Sequence, residues 1–292
     1  MTRLRPVVVA VIAMLALAGC EGVTVSFAPS AQAPVATPLT HAYTLNTSVW
    51  FAGLQITFRT ATSVLTQYGG TVTVDVQFQN PGTDETSLAA PMQLVIGATR
   101  IDPEHGTTLP DVPASGLSEL QVVYDVVGQA SVDEASIVVG GGGDNQASVP
   151  LQDPSKAVTL APVALKVPGI ANAADLHIHL NTGELRWDLP DWGDELPSGH
   201  AVLTLTYDAV YRGSFSGGLA FTDANVALRL PDGSSIAPRA DGHSQSNAVL
   251  PPGKVQPHLA SRFELPALER GTYTFIVKNG SAHANITFTI SG

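Results

Sequence analysis

Polar and apolar residues alternate in short runs along most of the chain, most clearly over Thr71–Gln79. There Val72, Val74, Val76 and Phe78 fall on one face, and Thr73, Asp75 and Gln77 on the other. A period of two carried by β-branched residues predicts a half-buried strand of an antiparallel sheet, and Asn80-Pro81-Gly82 ends it. Runs of the same kind predict strands at about 42–50, 54–65, 93–101, 118–127, 134–139 and 146–151. Gly140–Asn145 reads as a flexible hairpin loop between the last two. Seven strands in roughly 110 residues match the count and spacing of an immunoglobulin-like sandwich.

The second half repeats the order. Leu45-Asn46-Thr47 has a counterpart in Leu180-Asn181-Thr182, and Gly69–Val74 in Ser198–Leu205, where Leu203, Leu205 and Tyr207 point inward. Leu94–Ile101 corresponds to Val226–Ile236, which turns at Asp232-Gly233, and Leu117–Val126 to Leu259–Leu265. Tyr273, Phe275 and Val277 face Ile286, Phe288 and Ile290 across Asn279-Gly280, a strong hairpin signal. A repeat of about 130 residues is a domain duplication, since solenoid units are far shorter. The fold expected is therefore all-β: two tandem immunoglobulin-like antiparallel sandwiches, at 41–165 and 166–292. The Pro-containing stretch 152–174 holds the boundary.

Composition agrees with many short strands joined by turns. Gly (27) and Pro (21) are frequent, and charged residues make up only 13%. The net charge of −11 becomes more negative without residues 1–19, which hold Arg3 and Arg5 and no acid, leaving 12 basic against 25 acidic residues. Such a chain repels nucleic acid, so no nucleic-acid partner is expected. The single cysteine rules out an internal disulfide.

That cysteine closes the N-terminal segment. Met1–Arg5 carries two arginines, and Pro6–Ala18 is an uninterrupted apolar run. As a helix it would span roughly 20 Å, short of the hydrocarbon core of about 30 Å. A charged start, a short apolar run and small residues at the end read as a secretory signal over 1–19. Leu17-Ala18-Gly19-Cys20 resembles the lipobox of bacterial lipoproteins. The resemblance implies cleavage before Cys20 and lipid on its thiol. Residues 20–40, rich in Ala, Pro, Ser and Thr, read as a tether. The expected address is a bacterial cell membrane or outer membrane, with the chain lipid-anchored and facing the extracytoplasmic side.

Over roughly 41–290 the chain is similar to the telokin-like, immunoglobulin-like domains of uncharacterised bacterial lipoproteins. The resemblance rests on the strand pattern, the Asn80-Pro81-Gly82 end and the Pro/Gly turn before a late strand. It implies extracellular interaction and carries over no catalytic residues.

Two stretches carry candidate chemistry. In Asp175-Leu176-His177-Ile178-His179-Leu180 the histidines stand at i and i+2, so on a strand both imidazoles project to one side. Asp175, His177 and His179 are the candidate metal ligands. The string resembles the first metal-binding strand of amidohydrolases, but that family's barrel needs some 250 residues, and no helical pattern follows. The alternation also fits a simpler reading, with Leu176, Ile178 and Leu180 in the core and both histidines on the wet face.

Trp187–Glu195 sets the carboxylates Asp188, Asp191, Asp194 and Glu195 beside Trp187 and Trp192. An exposed indole can stack on a sugar or a cation, and loops at the end of a sandwich are where such domains bind. This loop is the candidate ligand site, although Trp187 could instead plug a core while the acids stay solvated. Arg212–Gly218 resembles a nucleophile elbow, but Phe215 stands where serine is required. The function expected is a non-catalytic binding or structural module of the cell envelope, with no cofactor. Its expected partners are the membrane, through the lipid on Cys20, and an envelope protein or glycan. The alternatives are a metal- or carbohydrate-binding lipoprotein and, further off, a hydrolase.

Overall fold

The structure, a computed structural model, describes residues 37–128, 131–189, 196–240 and 247–291. The segment expected to be a signal, Cys20 and most of the stretch expected to be a tether lie outside these residues. The described chain is all-β with a sandwich-type architecture, and among its residues no helix is long and apolar enough to cross a membrane.

The first half contributes β1 (Leu39–Phe51), β2 (Leu54–Thr66), β3 (Gly69–Gln79), β4 (Thr86–Ser87), β5 (Met92–Ile96), β6 (Thr99–Ile101), β7 (Asp111–Val112), β8 (Leu117–Val127), β9 (Ser136–Val139) and β10 (Ala147–Pro150). One antiparallel sheet runs β1-β2-β3-β8 and a second β10-β9-β5-β6, while β4 and β7 form a short ladder. The alternation in β3 does what its sequence predicts: Val72, Val74, Val76 and Phe78 are all buried. With Phe58, Tyr124, Leu94 and Ile137 they fill a core between the two sheets. The expected strand at 93–101 is instead a tight hairpin, because Gly97 adopts φ +58° and turns the chain between β5 and β6. A left-handed backbone is natural for glycine and strained for most other residues.

The second half contributes β11 (Val163–Leu165), β12 (Gly169–Ala173), β13 (Leu176–Arg186), β14 (Ala201–Tyr211), β15 (Leu219–Phe221), β16 (Val226–Arg229), β17 (Ser235–Ile236), β18 (Ala248–Leu250), β19 (Val255–Leu265), β20 (Gly271–Asn279) and β21 (Ala282–Ile290). Its first sheet runs β11-β13-β14-β19 with β12 also on β13, its second runs β17-β16-β20-β21, and β15 pairs with β18. The Asn279-Gly280 hairpin forms as expected, with Phe275 opposite Ile286 and Tyr273 opposite Phe288. A separate core built on Tyr207, Phe263, Phe275 and Tyr273 lies between these sheets. The chain passes from the first core to the second between Leu160, which packs in the former, and Val163, which pairs with Leu185 in the latter.

Strand order repeats between the halves. The sheet β1-β2-β3-β8 matches β11/β12-β13-β14-β19, and β10-β9-β5-β6 matches β21-β20-β16-β17. This corrects one internal correspondence. Leu180-Asn181-Thr182 lies on β13, whose place in its sheet is that of β2, so its structural counterpart is not Leu45-Asn46-Thr47 on β1. The register confirms the shift: Asn181 is the extra residue where β13 meets β14, and Arg59 is the extra residue where β2 meets β3. Asn46 marks a different bulge, between β1 and β2, with φ +44°.

A further irregularity lies on β19, the outer strand of its sheet. Its register with β14 breaks between Tyr207 and Ala209, where Pro257 and His258 are looped out against Asp208. His258 takes φ +56° and its amide donates to Asp208 Oδ1 at 3.1 Å.

The second core holds one buried polar pair, the Tyr207 hydroxyl and Ser261 Oγ at 2.7 Å. Burial pushes the Tyr207 phenol well above its ordinary value, although the hydrogen bond to Ser261 acts in the opposite direction. Tyr207→Phe leaves the buried Ser261 hydroxyl without this partner, so a loss of about 1–2 kcal/mol is expected. Urea denaturation measures it, and an unchanged midpoint would show that Ser261 finds another acceptor.

Candidate functional site

The histidine strand behaves as its alternation predicts. Leu176, Ile178 and Leu180 are buried in the second core, while His177 is half-buried and His179 exposed on the opposite face. In register His177 stands between Asn172 and Val210, and His179 between Ile170 and Asp208. Asp175 sits in the turn before β13, where its carbonyl accepts the Arg212 amide at 2.8 Å. Among the described residues no three His, Cys, Asp or Glu side chains form a group that could hold a metal ion.

The tryptophan loop is divided. Asp191, Trp192, Asp194 and Glu195 lie outside the described residues. Trp187 is half-buried and packs against both hydrophobic cores, at the place where the halves meet. Leu189, Leu196 and Val202 form a small apolar cluster of their own beside it.

Asp188 is not a solvated acid, which corrects the expectation for this part of the loop. Its side chain is 3% exposed and accepts Arg186 Nε at 2.8 Å and Nη2 at 3.3 Å, a bidentate pair. It also accepts the Gly53 amide of the first half at 3.2 Å. Burial alone would lower the Arg186 pKa. The hydrogen bonds and charge of Asp188, with Glu184 behind them, outweigh it and hold the guanidinium above its ordinary value. Strand geometry brings this about: residues two apart on an extended chain share a face, so Glu184, Arg186 and Asp188 line up.

The Gly140–Asn145 hairpin loop forms the other half of the junction. It joins β9 to β10 as expected, yet Asn145 does not hang free. Its amide donates to Leu196 O at 2.9 Å, and its Nδ2 donates to Trp187 O at 2.9 Å and to His200 O at 2.8 Å. Its Oδ1 accepts the Gly199 amide at 2.9 Å, and Ser198 N donates to Gly143 O at 2.9 Å. Every hydrogen-bonding group of the buried Asn145 side chain that the junction could leave dry is therefore matched to backbone of the second half. Nothing local marks Asn145 in the sequence except that it is an amide closing a glycine run.

Beside this junction opens a cleft of about 590 Å³. Trp50 and Gly53 at the β1–β2 turn form one wall, the Asn80–Thr86 loop another, and Pro162 and Arg186 close it. Asn80 shapes the loop from inside. Buried itself, it donates through Nδ2 to Asp84 O and Val112 O, and its Oδ1 accepts Gly82 N. The Asn80-Pro81-Gly82 end of β3 is thus also a loop former, and it sets Asp84 and Glu85 at the rim. The volume lies within the range of small-molecule sites. Its lining includes the Trp50 indole, the Asp84 and Glu85 carboxylates and the Arg186 guanidinium, the last already bonded to Asp188 and Glu184.

Nucleophile arrangements fare less well. Ser214 and Ser216 of the Arg212–Gly218 loop are exposed. Ser63 is buried and stands opposite His41 in register, but the carboxylate nearby serves a tyrosine: Tyr43 donates its hydroxyl to Asp133 Oδ1 at 3.0 Å. Burial first, and Asp133 second, raise the Tyr43 pKa, while bonds from Ser131 and Tyr43 lower that of Asp133. The His41 ring packs on Tyr43 with centroids 4.4 Å apart. A comparison with known protein families and with curated proteins finds no match for this chain.

Proposed function

We propose that this chain is a lipid-anchored, extracytoplasmic lipoprotein of a bacterial envelope, with residues 1–19 as signal, Cys20 as the acylated N-terminus and 20–40 as tether. Its two halves are each read as an immunoglobulin-like sandwich serving as a non-catalytic binding or structural module. The observation that carries the reading is the string Leu17-Ala18-Gly19-Cys20 at the end of a short apolar run. It is supported by a fold whose strands use no thiol, which leaves the one cysteine to the anchor. Two acyl chains hold a protein to a bilayer stably where one would not. Expressed in a bacterial host with labelled palmitate, the wild-type chain is expected to take up label and sediment with membranes. Cys20→Ser is expected to do neither, and an unlabelled wild type would overturn the reading.

A second reading, carbohydrate binding, has its support in the cleft at Trp50, Asp84, Glu85 and Arg186, between the halves. The Asp175/His177/His179 strand offers a metal only two imidazoles on a wet sheet face.

A further inference from the structure

Exposed large apolar side chains are not scattered evenly over the first half. Leu39 is 70% exposed, Tyr68 71% and Val127 83%. Leu39 begins β1 and lies opposite Leu65 near the end of β2. Tyr68 sits in the turn from β2 to β3, and its carbonyl accepts the Gly128 amide at 2.9 Å. Val127 ends β8 opposite Gly69. The three therefore share one end of the β1-β2-β3-β8 sheet. With strands about 4.8 Å apart they span roughly 15 Å. The backbone at this end is tightly set. A Cβ on Gly69, whose φ is +117°, would lie 2.0 Å from Val126 O, and one on Gly70 would lie 2.0 Å from Val64 O.

This is also the end at which the chain enters the fold, at Thr37, and the opposite end of β1 from the junction with the second half. We propose that this pole rests on the bilayer and places Leu39, Tyr68 and Val127 in the headgroup layer. The inference builds on the lipid anchor proposed above. From Cys20 to Thr37 the chain can extend to about 60 Å at most, and that limit is counted to the pole, where the fold begins. The pole is thus the part of the fold held nearest the lipid. Tyrosine suits that depth, with an apolar ring and a polar tip. Charge at the pole is acidic, with Asp125 two residues before Val127 and Asp133 bonded to Tyr43. The attraction is accordingly apolar, and anionic lipid does not strengthen it.

The second half supplies a control of similar exposure. Phe215, 66% exposed, follows β14 at the end of that strand remote from the junction.

The test uses the full acylated chain in phosphatidylcholine vesicles. With Cys20 occupied by lipid, Tyr68→Cys and Phe215→Cys each add one free thiol for an environment-sensitive fluorophore. Brominated phosphatidylcholine is expected to quench the label at 68 at least about threefold more than the label at 215, with no increase when phosphatidylglycerol is added. Equal quenching at both sites, on protein whose intact mass shows the lipid adduct, overturns the pole and leaves the anchor standing. Shielding of the label at 68 from both brominated lipid and aqueous iodide indicates a second copy on this surface, and also overturns it. An intact mass without lipid on Cys20 overturns the anchor, and the pole with it.

Discussion

Asp188→Ala is expected to cost the fold about 3–5 kcal/mol, the range for stranding one member of a buried ion pair. The side chain of Arg186 is 19% exposed, and Asp188 supplies two of its three carboxylate contacts. The third, to Glu184 Oε1 at 3.4 Å, reaches an acid that is itself 47% exposed, so solvent screens it. The substitution also removes the acceptor of the Gly53 amide, a link between the two halves. Asp188→Asn can keep one oxygen for the Gly53 amide and Arg186 Nη2, but it loses the charge and turns an NH2 toward Arg186 Nε, so it should recover only part of the loss. Pairing Asp188→Leu with Arg186→Met removes both charges and should recover most of the loss, because the cost lies in the unpaired guanidinium. Urea denaturation at constant m-value reads all of these. A midpoint unmoved by Asp188→Ala would mean that water reaches Arg186 more freely than its burial indicates.

Asn145→Ala is the second large effect, expected at about 2–4 kcal/mol. Three side-chain hydrogen bonds disappear, each with a net value near 1 kcal/mol, and the Trp187 and His200 carbonyls and the Gly199 amide lose their partner. All of those partners belong to the second half, whereas β9 and β10, which hold the loop, belong to the first. The loss should therefore appear as weaker coupling, with calorimetric unfolding of the variant separating into two transitions where the wild type shows closer coincidence. Asn145→Asp keeps the acceptor for Gly199 but presents oxygen to the two carbonyls that Nδ2 served, and should be at least as damaging as alanine. A variant that unfolds with the wild-type profile would show that the Trp187 packing alone holds the halves together.

The strands were legible because their signal is local. In β3 and over Leu176–Leu180 of β13 the buried positions follow from alternation alone, and the outward histidines come with them. The Asn279-Gly280 turn was legible for the same reason, since its geometry is written in two adjacent residues. The junction was not. Asp188 reads as one acid among four in a polar loop, and what removes it from water is an arginine on its own strand face and an amide 135 residues earlier. Asn145 follows four glycines and an aspartate, a context that predicts freedom of movement, and its partners lie between Trp187 and His200. Leu45-Asn46-Thr47 and Leu180-Asn181-Thr182 match as strings, yet sheet order places them on non-equivalent strands, because short polar motifs recur wherever a strand needs a bulge. The cleft at Trp50 and Arg186 draws on four separate stretches of chain, so no single window of sequence contains it.

The looped-out Pro257 and His258 on β19 bear on what happens when many copies share one surface. An outer strand is where one molecule's ladder can be continued by another's, and confinement raises the local concentration of neighbours far above that in solution. Proline has no amide hydrogen to offer a newcomer, and the His258 amide is already turned inward to Asp208. A strand arriving at β19 would find two successive positions unable to donate to it and a backbone kinked out of register. Crowded molecules can thus press edge to edge here without zipping into a shared sheet.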